Sequence, residues 1–150
     1  DLPAKIHCVG ASHITPGIVD FLTSFLGFNG GVSAGMQTSW LSPFKEHRLT
    51  VTGSAGALVF DDTKPWPEKL TLFQDQMHLN GEHFLIDRAS PITLPLNEAE
   101  PLKAEMQAFI QSCDNDSPTP TDINEAIAVQ QVLEMLQNNL IDTSLKSKSQ

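Results

Sequence analysis

Between Trp40 and Arg48 the chain places an indole, an ammonium, an imidazole and a guanidinium in one short run: Trp40, Lys45, His47 and Arg48. Lysine and arginine make charge-assisted hydrogen bonds to carboxylates and diphosphates, and arginine does so with a planar fork. An aromatic face can stack on a ring. These four residues are the candidate substrate-binding set, suited to an anionic ligand that carries a ring. A competing reading makes Trp40 a core residue, pairs Lys45 with Glu46 in solvent and leaves the run as a chain reversal. Both readings stay open on sequence alone.

Other groups invite chemistry less strongly. Gly53-Ser54-Ala55-Gly56 has the look of a phosphate loop, yet it precedes a strand and lacks the N–H donors of a helix start. A hairpin turn is the expectation. His7, His13, His47, His78 and His83 show no paired metal spacing. His78, Glu82 and His83 are read as sharing a loop, with no second cluster to support them, so no metal site is expected. Asp61-Asp62 follows a strand end and is read as turn chemistry. Cys8 and Cys113 are read as small buried hydrophobes, reduced and unpaired. No Ser/His/Asp arrangement and no G-x-G-x-x-G fingerprint is present.

The elements that must position these groups follow from periodicity. Lys5 to Ser12 reads as a strand, with Ile6 and Cys8 on one face. Val19 to Phe28 reads as a second strand, apolar on both faces and so covered on both. Asn29-Gly30-Gly31 supplies a hairpin turn. Val32 to Trp40 alternates as a half-buried strand. Pro43 breaks the pattern, and Arg48 to Thr52 and Ala57 to Phe60 form a second hairpin. Lys64-Pro65-Trp66-Pro67 is a rigid connector, and Lys69 to Phe73 is a further strand. Gln74 to Asp87 carries no clear pattern beyond a short strand at Phe84-Leu85-Ile86. Pro91 to Leu96 reads as extended.

Glu98 to Cys113 is helical by spacing. Leu102, Met106, Phe109, Ile110 and Cys113 form its apolar stripe, expected to be core. Asp122, with Glu125 three residues on, begins a second helix. Ile123, Ile127, Leu133, Leu136 and Leu140 mark its apolar side. The expected organisation is one sheet-and-helix body over 1–141 and a polar tail over 142–150. The fold class is α+β: an open, mostly antiparallel sheet with helices packed mainly on one face.

Composition narrows the function classes. The chain of 150 residues is long enough for one domain with a core. A formal net charge of -9 offers no footprint for a nucleic-acid backbone. No apolar run reaches membrane-spanning length. The start, DLPAKIHCVG, lacks a basic segment ahead of an apolar one. A cytoplasmic protein without nucleic-acid or membrane partners is expected.

A resemblance sharpens this. Ser39-Trp40-Leu41, Pro43, Lys45-Glu46, Gly53 to Gly56 and Asp61-Asp62 together resemble the sheet domain of the Gfo/Idh/MocA oxidoreductases. Lys69-Leu70-Thr71-Leu72-Phe73 and the run Glu100 to Cys113 extend the likeness over most of the chain. The nearest branch is the dehydrogenases of nucleotide-linked amino sugars, such as UDP-N-acetylhexosamines and their uronates. The resemblance implies an NAD(P)-dependent enzyme that moves a hydride between nicotinamide and a sugar carbon, C3. It implies an N-terminal dinucleotide-binding Rossmann domain upstream of Asp1, which would hold NAD or NADP and the catalytic groups. This chain alone would bind no cofactor, and no catalytic residue is carried over onto it. Lys64-Pro65 is not the family's catalytic Lys-Pro pair, because it follows the sheet hairpin. The resemblance also implies a homo-oligomer formed through the exposed sheet face. The alternative is a free-standing, non-catalytic ligand-binding or oligomerisation module.

Overall fold

The computed structural model describes residues 1–143. In chain order the elements are β1 (Lys5–Ala11), β2 (Phe21–Gly27), β3 (Ser33–Ser39), β4 (Arg48–Gly53), β5 (Gly56–Asp61), β6 (Leu70–Phe73), β7 (Gln76–Asn80), β8 (His83–Asp87), β9 (Ile92–Leu94), α1 (Pro101–Asn115), α2 (Ile123–Asn138) and β10 (Leu140–Asp142), with a 3-10 turn at Trp66–Glu68. The class is α+β, with mostly antiparallel sheets and two helices. The strands divide among three sheets in two compact units, Asp1–Ser42 with the chain from Gln107 onward, and Pro43–Met106.

In the first unit the strand order is β10-β1-β2-β3, antiparallel except for the parallel β1–β10 pair. Gly30 and Gly31, at φ 87° and 86°, turn β2 into β3 as the Asn-Gly-Gly run demands. Cys8, Ser24 and Met36 lie in register on one face. Cys8 is 1% exposed and Ser24 is buried, whereas Val9 and Phe25 on the other face stay open, Phe25 at 47%. The expectation that β2 is covered on both sides is therefore corrected: one face is covered within the chain. β3 was expected half-buried, yet Ser33 to Thr38 are all exposed, because the strand is the sheet's edge.

Gly10 sits where β1 is most crowded. A Cβ there would meet Val19 Cγ1 at 2.8 Å, the Phe21 carbonyl oxygen at 2.9 Å and Leu140 Cδ1 at 3.0 Å. Glycine thus lets β10 close against β1. Leu140, expected on the helical stripe, and Asp142, expected in the tail, both belong to this strand. Thr143 follows, donating from its N–H and its Oγ1 to the Gly10 carbonyl at 2.8 and 3.1 Å. The remaining tail, 144–150, lies outside the described residues.

In the second unit β4-β5-β6-β9 form an antiparallel sheet, and β7–β8 form a separate hairpin. Gly53 pairs with Gly56 across the expected tight turn. Gly56 has φ 139°, and a Cβ on it would overlap the Phe73 carbonyl oxygen. His78 and His83, expected in a loop, stand on β7 and β8, and the turn between the strands is Gly81-Glu82, with Gly81 at φ 64°.

The helices join differently from expectation. α1 starts at Pro101, not Glu98, since the residue before a proline is driven out of helical geometry. It ends in a left-handed Asp116 (φ 48°), with Ser117 N–H returning to the Ser112 carbonyl. Asp122 caps α2 as expected, accepting from the N–H of Asn124 and Glu125. Those bonds, the Glu125 N–H foremost, hold the Asp122 carboxyl below its ordinary pKa. α2 packs against β1 and buries Leu136. The α1 stripe is corrected: Leu102, Met106, Phe109 and Ile110 are exposed, and so is Cys113. Periodicity reports that a face is apolar, not what covers it. The buried hydrophobic residues among those described are Cys8, Ala11 and Leu136.

Candidate functional site

Three of the four candidate residues meet in the second unit. The segment 43–47 leads into β4, and β5 returns antiparallel so that Arg48 pairs with Asp61. The chain after β5 turns on the Asp61 side chain, whose Oδ1 accepts from Thr63 Oγ1 at 2.6 Å and from Thr63 N–H at 3.0 Å. The turn role read for Asp61 is what the structure contains. Those Thr63 bonds, hydroxyl first, outweigh burial and lower the Asp61 pKa, with a smaller pull from Arg48.

Asp62 is the hub. Lys69 Nζ donates to its Oδ1 at 2.6 Å, His47 Nδ1 lies 3.3 Å from Oδ2, and Lys45 Nζ lies 3.7 Å from the same oxygen. The Lys69 bond, then His47, lowers the Asp62 pKa to about 2. The lysine was read only as the start of a strand. It is 12% exposed and its ammonium stands 4.3 Å over the Trp66 ring. Trp66 sits between Pro65 and Pro67 and lines a cleft of about 330 Å³ with Thr93, Pro95, Leu96 and Glu98. The signal for it was present: a tryptophan flanked by prolines has a fixed backbone.

Bond lengths separate the cations by role. Lys69 is short, enclosed and committed to Asp62. Arg48 reaches Asp61 Oδ2 only at 3.3 Å from Nη2 and 3.4 Å from Nε, and its side chain is half exposed. Lys45 and His47 are more exposed still. Solvated pairs of this kind contribute roughly 0–1 kcal/mol. Lys45, His47 and Arg48 can thus exchange their own carboxylates for an incoming anion at little expense. The predicted Lys45–Glu46 pairing is replaced by Lys45–Asp62.

Trp40 belongs to the first unit. It is 88% exposed, so the reading of it as a core residue is excluded. Its N–H donates to the Asp20 carbonyl at 2.9 Å, and with Val19, Asp20, Phe21, Leu22, Thr38 and Ser39 it lines a cleft of about 410 Å³. Asp20 was missed. It is 5% exposed and accepts from the N–H of His13 and of Ile14 at 2.6 and 2.7 Å, while His13 Nδ1 lies 2.7 Å from its other oxygen. A carboxylate only accepts, so Nδ1 carries the proton. Burial alone would raise the Asp20 pKa, but the His13 ring and the two N–H groups hold it below its ordinary value. Nothing in the linear pattern separates this aspartate from a surface one.

Among the described residues no group of three or more His, Cys, Asp or Glu side chains could hold a metal ion. Among the described residues no helix is long and apolar enough to cross a membrane.

No family model matches this chain, and no curated protein matches it. Solved structures do. UDP-N-acetylglucosamine 3-dehydrogenase GnnA from Acidithiobacillus ferrooxidans, in two crystal forms, superposes with a TM-score of 0.67 in each and 18% sequence identity. The alignments cover 92% and 91% of this chain and 39% of the dehydrogenase. At that identity the likeness establishes the fold: this chain has the architecture of a segment spanning about two fifths of that enzyme.

Proposed function

We propose that this chain is the substrate-binding and oligomerisation domain of an NAD(P)-dependent dehydrogenase acting on a UDP-linked N-acetylhexosamine or its uronate. The observation that carries the reading is the match of nearly the whole chain to part of a UDP-N-acetylglucosamine 3-dehydrogenase. The loosely held cations Arg48 and Lys45, with the His47 ring beside them, support it, being donors suited to a diphosphate or carboxylate. Trp40 offers its face to a ring. In the whole enzyme a nicotinamide held by the dinucleotide-binding half would supply hydride-transfer chemistry at the sugar ring carbon. This domain's share is to hold the sugar carbon at attacking distance. The open apolar surfaces, Phe25 and Val9 on the sheet and the α1 stripe, are where that half and further copies pack.

The test is direct. The coding sequence upstream of Asp1 should carry a Gly-rich dinucleotide fingerprint within one domain length. The 150-residue chain mixed with NAD and UDP-N-acetylglucosamine should give no NADH. Turnover by the chain alone overturns the proposal, as does an upstream region without a dinucleotide fold.

A further inference from the structure

β3 is one outer strand of the first unit's four-stranded sheet. It carries no charge and no proline, pairs with β2 without a bulge, and is exposed from Ser33 to Thr38. Charge, proline and bulges are the devices that normally close an edge to other chains. The opposite edge, β10, is three residues long and ends in Asp142.

Two hydrogen bonds fix which backbone groups of β3 are open. Phe28 N–H donates to the Val32 carbonyl at 2.8 Å, and Trp40 N–H donates to the Asp20 carbonyl at 2.9 Å. Residues in an antiparallel pair alternate between bonding the neighbour and facing away. Ala34, Met36 and Thr38 therefore bond β2, and Ser33, Gly35, Gln37 and Ser39 direct N–H and C=O to the open side.

We propose that a second copy of this chain pairs with β3 in antiparallel register about Met36. A two-fold axis there sets Ser33 against the partner's Ser39 and Gly35 against the partner's Gln37. Each open residue meets an open residue, so every outward donor and acceptor of the strand is used. A slip of one residue sets open groups against occupied ones and loses the ladder. A slip of two leaves an end of the strand unpaired. At the axis Met36 faces its own copy at a non-hydrogen-bonded position, where Cα atoms approach to about 4.5 Å. Its same-face neighbours Ala34 and Thr38 are small, leaving room for two thioethers, and no like charges oppose each other. The contact is isologous. It joins two four-stranded sheets into one, independently of the open face at Val9 and Phe25 and of the dehydrogenase reading.

Site-specific oxidation tests the register in a Cys113→Ser background, since Cys113 is the exposed native thiol and Cys8 is buried. Met36→Cys should form a covalent dimer at least ten times faster than Ala34→Cys, whose own copy lies about 13 Å along the partner strand. Sedimentation of the unaltered chain at tens of micromolar should give a dimer. Gln37→Pro removes an outward N–H and no β2 bond, and should give a monomer with an unchanged far-ultraviolet spectrum. A monomeric unaltered chain, equal oxidation rates, or a folded Gln37→Pro variant that stays dimeric overturns the proposal. If Gln37→Pro fails to fold, the ratio of oxidation rates decides.

Discussion

Lys69 holds its ammonium 2.6 Å from Oδ1 of Asp62 while standing over the Trp66 ring, so one cation both completes an ion pair and covers an indole. The pair has a pH signature. The Asp62 pKa falls from 3.8 to about 2 on folding. A depressed folded pKa adds stability that is complete above the unfolded value and lost as pH falls toward the folded one. Asp62→Asn should flatten the decline in melting temperature between pH 4 and pH 2 relative to the unaltered chain. Asp20, Asp61 and Asp122 still lose theirs in the variant. Identical acid limbs for the two proteins would count against the pairing.

Arg48 and Lys45 should act on ligand and not on stability. Arg48→Ala and Lys45→Ala should each change unfolding free energy by less than about 0.5 kcal/mol, as exposed pairs do. On the function proposed above, each should weaken binding of a UDP-linked N-acetylhexosamine to the full-length protein by about tenfold, read by calorimetry. Lys69→Met should instead lower stability, because it strands Asp62 against an enclosed neighbour.

Gly56→Ala is expected to destabilise by about 2 kcal/mol or more. The position combines a φ of 139° with a carbonyl oxygen, that of Phe73, in the space a Cβ would take. Gly53→Ala, across the same turn, has open space about it and should cost less than half as much. Urea unfolding midpoints separate the two.

Leu136 and Leu133 are one helical turn apart on α2 and differ in burial, 5% against 51% exposed. Leu136→Ala should cost about 2–4 kcal/mol and Leu133→Ala less than about 1 kcal/mol in the isolated chain. If the chain is assembled with a partner that covers α2, the Leu133 value should rise with protein concentration.

The sequence was most readable where structure is local. The hairpin turns at Gly30-Gly31 and Gly53 to Gly56, the Asp122 cap and the Asp61 turn follow from residue type at fixed offsets. Of the Trp40, Lys45, His47 and Arg48 set, the last three stand at the adjacent carboxylates of Asp62 and Asp61, while Trp40 belongs to the other unit; the two acids were legible for turn chemistry. What stayed hidden depends on distant partners. Lys69 and Trp66 look like strand and connector until Asp62 is placed between strands. Asp20 is ordinary until the loop at 13–14 folds over it. The α1 stripe has perfect helical spacing and still faces outward, since amphipathicity does not name its acceptor. Of the β7–β8 hairpin only Phe84-Leu85-Ile86, inside β8, is legible as strand; β7 and the pairing escape because both strands are exposed throughout and lack the alternation that burial imposes.

β10 fills the last vacant side of β1, and Thr143 bonds Gly10 across 133 positions of sequence. On a ribosome β1 emerges well ahead of β10, its final neighbour. Translation supplies about 5–20 residues each second, so for several seconds that strand has one bare flank. Contacts this remote in sequence also slow folding in general. The first unit is thereby a latecomer, sealed only once β10 has been made, while Pro43–Met106 has all its own strands in hand well before.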